Sequence, residues 1–150
     1  MKYLLAIACI AFFSAITNAQ SSEDSVKSAV NQLFTAMKNA DSALLVSTFA
    51  DSAILQTIAT NKEGVAEVKN ESVKEFAGFI SKIPKGDADE RIQFDVLKID
   101  GQLAIVWAPY KFYYKGKFSH CGVDSFQMLR MNGKWKIQYL IDTRRKQGCE

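Results

Sequence analysis

The chain has 150 residues, a net charge of +3 and a single histidine. That length predicts one domain, and its scattered, nearly balanced charges lack the basic patch or stripe of a nucleic-acid binder. An apolar fraction of 48% is too high for a disordered chain.

Residues 1–19 stand apart. One lysine precedes an apolar run from Tyr3 to Ile16, and Thr17-Asn18-Ala19 follows. This reads as a secretory signal peptide cut after Ala19. The run is short for a membrane span and no second apolar segment follows, so no membrane contact is expected after cleavage. A helix of the domain, or a lipid anchor at Cys9, is the less favoured alternative. The reading makes the protein exported, periplasmic or secreted, with one domain over 20–150. Its two remaining cysteines, Cys121 and Cys149, then lie where disulfides persist. An internal bridge would close a loop of about 29 residues, worth roughly 3–4 kcal/mol. Free thiols or a bridge between chains are the alternatives.

Residues 23–39 predict a helix, with Val26, Val30, Leu33, Phe34 and Met37 at three- and four-residue spacing. Asp41 can cap a second helix carrying Leu44, Leu45 and Phe49. A strand over 52–60, a turn at Asn61–Gly64 and a short strand over 65–68 follow. Asn70 can cap a third helix, with Val73, Phe76, Ile80 and Ile83 on one face and Pro84 at its end.

Beyond the loop that starts at Pro84 the pattern changes to period two. Four strands are expected over 90–99, 102–114, 117–131 and 134–145, joined by two-residue loops at Asp100-Gly101, Lys115-Gly116 and Asn132-Gly133. Helices first and an antiparallel meander after make the class α+β. Pairing directly through these loops lays the strands on a grid. One face then collects Ile92, Phe94, Val96, Ile105, Trp107, Phe126, Tyr139 and Ile141 as an apolar floor for the helices. Two rows cross this floor. The first is Phe94–Trp107–Asp124–Ile141 and the second, nearer the rim, is Glu90–Lys111–His120–Arg145.

A carboxylate among aromatics is costly to bury unless paired or protonated. Burial raises its pKa, which suits a general base or a ligand hydrogen bond. Asp124 is therefore the leading candidate, with a structural role, satisfied by Trp107 or by helix backbone, as the alternative. Lys111, His120 and Arg145 could hold an anionic group at the mouth, or be a solvated sheet end. His120 and Cys121 point to opposite faces, which disfavours a Cys–His nucleophile. His120 and Asp124 share a face about 13 Å apart, too far to hydrogen-bond unless the strand bulges, as it could where Gly122 faces Pro109. One histidine without clustered N or S ligands disfavours a metal site, and nothing in the pattern asks for a cofactor. The opposite face, with Val106, Tyr110, Phe112, Tyr114, Val123 and Leu129, is apolar enough to be covered, and a second copy of the chain is the expected cover.

The order of helices and meander resembles the nuclear transport factor 2-like fold over residues 25–147. The stretch FSHCGVDSFQMLRMNGKWKIQYLIDTRRKQGC, residues 118–149, is similar to the C-terminal end of secreted bacterial proteins labelled "putative lumazine-binding". The resemblance implies a cone-shaped barrel of bent antiparallel sheet packed against three helices, with a pocket beneath them and commonly a homodimer. In enzymes of that superfamily an acidic residue or a His–Asp pair lies in the pocket, and Asp124 and His120 fit that role. The paired donors of the isomerase members do not map onto this chain, where Tyr139 and Trp107 are the nearest substitutes.

Three functions follow as expectations. The first is an exported protein binding a small, flat, mostly apolar ligand with a polar or anionic group. Phe94, Trp107, Phe126 and Tyr139 would line its pocket, Asp124 would hydrogen-bond the ligand, and Lys111, His120 or Arg145 would meet the anion. The second is an isomerase, cyclase or dehydratase with Asp124 as general base and His120 beside it. A non-catalytic structural dimer, its pocket filled by side chains, is the third.

Overall fold

The protein is described by a computed structural model over residues 6–149, with side chains from residue 22 onward. Helix α1 runs Ala6–Asn39 without a break, so the segment read as a leader is continuous here with the first helix. Residues 1–5 lie outside the described residues. From Val26 on, α1 buries Val30, Leu33, Phe34, Ala36 and Met37 against the sheet. Ala40, at φ 55°, reverses the chain. Asp41 then caps α2 (Ser42–Thr48) by accepting the Leu44 N–H at 2.9 Å. Helix α3 (Val73–Ile80) starts at Ser72 rather than Asn70. Ser72 and Glu75 form a reciprocal capping box, while Asn70 pairs with Gln56 inside the strands.

The strands are β1 (Phe49–Thr60), β2 (Ala66–Glu71), β3 (Ala88–Ile92), β4 (Val96–Asp100), β5 (Leu103–Tyr114), β6 (Lys117–Met131) and β7 (Lys134–Arg145). They form one sheet in the order β2-β1-β7-β6-β5-β3, with β4 also on β5. The three helices cover one face of this curved sheet, which is not closed into a barrel. The pairing is antiparallel except between β1 and β7, which run parallel. The expected strand over 90–99 is two strands, because the register on β5 shifts by one residue between Ile92↔Tyr110 and Val96↔Trp107.

Two β-bulges decide what faces the helices. The Lys115-Gly116 and Asn132-Gly133 turns have positive φ at both residues, as two-residue hairpins require, and pairing starts as expected beside each. On β6 one extra residue, Ser119, then lies between Tyr113↔Phe118 and Phe112↔His120. On β7 Gln138 is extra, between Met128↔Ile137 and Gln127↔Tyr139. A one-residue slip turns every later side chain over. Trp107 therefore faces Ser125, not Asp124, and is 46% exposed on the outer side with Leu103 and Ile105. Tyr139 and Ile141 turn outward too. In their place Ala104, Val106, Ala108, Tyr110, Leu140 and Asp142 are buried. Phe126 remains at the centre, edge-on to Phe34 of α1 at 6.3 Å between ring centroids. The Gln138 amide donates to the Ser52 carbonyl at 3.0 Å, where β1 makes its own register shift against β7.

Candidate functional site

Between the helices and the lower sheet lies a cavity of about 350 Å³. Its apolar wall comes from Leu33, Phe34 and Met37 of α1, from Phe76, Phe79 and Ile80 of α3, and from Leu55 and Leu140 of the sheet. Its polar wall comes from β3, β6 and β7, as Glu90, His120, Asp124, Asp142 and Arg144. Register brings these together: Asp124 sits opposite Asp142 on one side and the small Ala108 on the other. Gly122 and Tyr110, the next facing pair, hold the wall in shape. A Cβ on Gly122 would overlap the Thr143 carbonyl and come within 2.7 Å of the Tyr110 ring, so only glycine lets that ring cross. The Tyr110 hydroxyl then meets the Thr143 carbonyl at 2.9 Å and Asp142 Oδ2 at 3.1 Å.

The three carboxylates are not equivalent. Asp142 accepts from Thr57 Oγ1 at 2.5 Å and from Arg144 Nε at 2.9 Å, so its charge is compensated. Asp124 is 4% exposed and forms no ion pair among the described residues. Counted as an ion it leaves Oδ2 without any donor among the described residues. Its neighbour is Glu90, and the two side chains meet within hydrogen-bonding reach. Two carboxylates can bond only through a proton that one of them carries. Burial drives the Glu90 pKa up to about 7, the largest effect on it. Burial first, then the charges of Glu90 and Asp142, raise that of Asp124. The pair titrates as a unit, and a proton kept toward neutral pH lets one carboxyl bond the other while Asp124 Oδ2 stays without a partner. His120 also lines the cavity, with its pKa lowered by burial first and then by Arg144. Its Nδ1 is 3.1 Å from Ser119 Oγ of the bulge. The cavity thus offers hydrogen-bonding carboxyls on its floor, an imidazole on its wall and an apolar roof.

The family model described as "Putative lumazine-binding" matches residues 21–139. The chain belongs to this family. The fold is nuclear transport factor 2-like, shared with many solved structures. One, a protein of unknown function from Silicibacter pomeroyi, is 17% identical with a TM-score of 0.67, covering 85% of this chain and 98% of its own. Another, a protein of unknown function from Mycobacterium tuberculosis, is 10% identical with a TM-score of 0.70, covering 87% and 75%. A third, described as a putative dehydratase from Streptomyces avermitilis, is 14% identical with a TM-score of 0.64, covering 85% and 98%. No functionally curated protein matches the sequence.

The cavity brings together two of the residues singled out from sequence, Asp124 and His120. The others lie elsewhere. Phe126 is fully buried in the core, and Phe94 packs against that core from β3–β4. Trp107 is on the outer face. The Tyr139 hydroxyl donates to Gln56 Oε1 at 2.6 Å, away from the cavity. The expected rim row is divided by the Ser119 bulge. Glu90 and His120 stay inside, while Lys111 and Arg145 share the outward row of Cys121. Cys121 and Cys149 are disulfide-bonded, with Cα atoms 5.7 Å apart. The sequence reading missed Asp142, Arg144 and Tyr110, and left Glu90 at the rim. The one usable signal was Gly122 in mid-strand, which marks a close approach by a neighbouring large side chain.

Proposed function

We propose that the protein is an exported small-molecule-binding protein whose ligand enters the cavity and exchanges hydrogen bonds with the Glu90–Asp124 pair. The observation that carries this reading is the unpartnered Asp124 oxygen at the floor of an open apolar cavity. Buried polar groups are normally satisfied, and a ligand completes this one. The cavity suits a small, flat, mostly apolar molecule with neighbouring donor and acceptor groups. The family description points the same way, so lumazine is the first probe. Fluorescence titration with lumazine, and separately with an apolar anilinonaphthalene dye, tests the reading. Saturable binding that weakens in Asp124→Leu supports it. No saturation by either probe, with Asp124→Leu more stable than wild type, would sink it.

A second reading rests on the Glu90 pKa of about 7. A carboxyl poised at working pH beside a second carboxylate, in a cavity that His120 also lines, suits proton transfer, as an isomerase or dehydratase needs. Asp124→Asn separates the two readings. Catalysis would fall roughly 10²–10⁴-fold, whereas ligand binding would change modestly. A homodimer through the outer sheet face belongs to the same proposal, supported by the exposed Leu103, Ile105 and Trp107 on that face. Light scattering on Trp107→Asp should then show a monomer.

A further inference from the structure

The row Arg91–Lys111–Cys121–Arg145 runs straight across β3, β5, β6 and β7. Its side chains point away from the face that carries His120 and Asp124. Like charges directly opposite one another weaken a sheet, yet Arg91 faces Lys111 with nothing between, and Arg145 lies two strands further on. A second cavity, of about 400 Å³, opens beside this row, and all three cations, Gln93 and the Cys121–Cys149 bridge line it.

Two of the cations are already held in place. Arg91 bonds Asp89 at 2.8 Å and its guanidinium lies 4.2 Å from the centre of the Tyr113 ring. Arg145 Nε donates to the Gly148 carbonyl at 3.3 Å, and the bridge at Cys149 fixes where Gly148 lies. Asp89 is the one carboxylate among the described residues paired to this row, and Lys38 shares it at 2.9 Å. Lys111 has no ion-pair partner among the described residues. Preset guanidinium forks around a lysine complement a phosphate or carboxylate group.

We propose that Arg91, Lys111 and Arg145, walled by the Cys121–Cys149 disulfide, form a binding site for a small oxyanion on the opposite side of the sheet from the acid cavity. The anion neutralises a row whose charges otherwise repel. The site does not depend on the function assigned to the acid cavity.

Amide NMR of the oxidised protein, titrated with inorganic phosphate at constant ionic strength, tests this. Saturable shifts are expected at residues 91, 111, 121 and 145, leaving the amides of Asp124 and Asp142 unmoved. Lys111→Gln and Arg145→Gln should each weaken binding about tenfold, and Lys134→Gln, at a distant turn, should not. A parallel titration with acetate assigns the group: tighter binding of phosphate marks a phosphate site, tighter binding of acetate a carboxylate site. Shifts spread evenly over the surface lysines, or an equal effect of Lys134→Gln, would overturn the proposal.

Discussion

Replacing Glu90 by glutamine should change how stability depends on pH more than it changes stability itself. In the unfolded chain Glu90 loses its proton near its ordinary value of 4.5, and in the folded protein it keeps it to about 7. Between those values the native state holds more protons than the unfolded one, so stability falls as pH rises. The contribution is fully present below 4.5, is lost progressively up to about 7, and stays lost above. At roughly 1.4 kcal/mol per pKa unit, this single group removes about 3 kcal/mol over that range, and Asp124 adds to it in the same direction. Glutamine cannot ionise and its amide can donate to Asp124 permanently. At pH 8 Glu90→Gln should therefore melt higher than wild type by roughly 10 °C, at a few degrees per kcal/mol for a domain of this size. At pH 4.5 the two should nearly coincide. Thermal unfolding followed by circular dichroism from pH 4.5 to 8 reads both. Parallel curves for the two proteins across that range would refute a shared proton at this site.

Two further outcomes follow from the wall around the cavity. Gly122→Ala should cost roughly 3 kcal/mol or more, as overpacking against backbone does; a urea midpoint within experimental error of wild type would show that the Tyr110 ring yields easily. Reducing the Cys121–Cys149 bridge, whose cysteines are 28 positions apart, should lower stability by about 3–4 kcal/mol. Urea unfolding with and without reductant measures it, and an unchanged midpoint would mean that the C-terminal segment is held by other contacts.

The architecture was legible because helix and strand periods differ so clearly here. The stripe from Val26 to Met37 and the Lys115-Gly116 and Asn132-Gly133 turns each point to one local structure, and the structure has those structures. Facing was not legible. β5 reads Leu-Ala-Ile-Val-Trp-Ala-Pro-Tyr, apolar on both sides, so alternation cannot tell its inner from its outer face. The bulges at Ser119 and Gln138 carry no residue signature that separates them from ordinary strand positions. Each turns over the rest of its pairing, so Trp107 and Tyr139 left the predicted pocket while Asp142 and Arg144 entered it. Asp124 survived both slips because β6 was the strand against which both neighbours were placed. The parallel pairing of β1 with β7 was hidden for another reason: it joins segments about 85 residues apart, a contact that no local pattern reports.

Both readings of the cavity depend on a proton that Glu90 and Asp124 share at neutral pH. Carbon-13 NMR titration of the side-chain carboxyls tests it most directly, with Glu90→Gln and Asp124→Asn used to assign the signals. Two coupled carboxyl signals are expected, with one step near pH 7 that moves when either partner is replaced. Two independent titrations complete below pH 5 would contradict it.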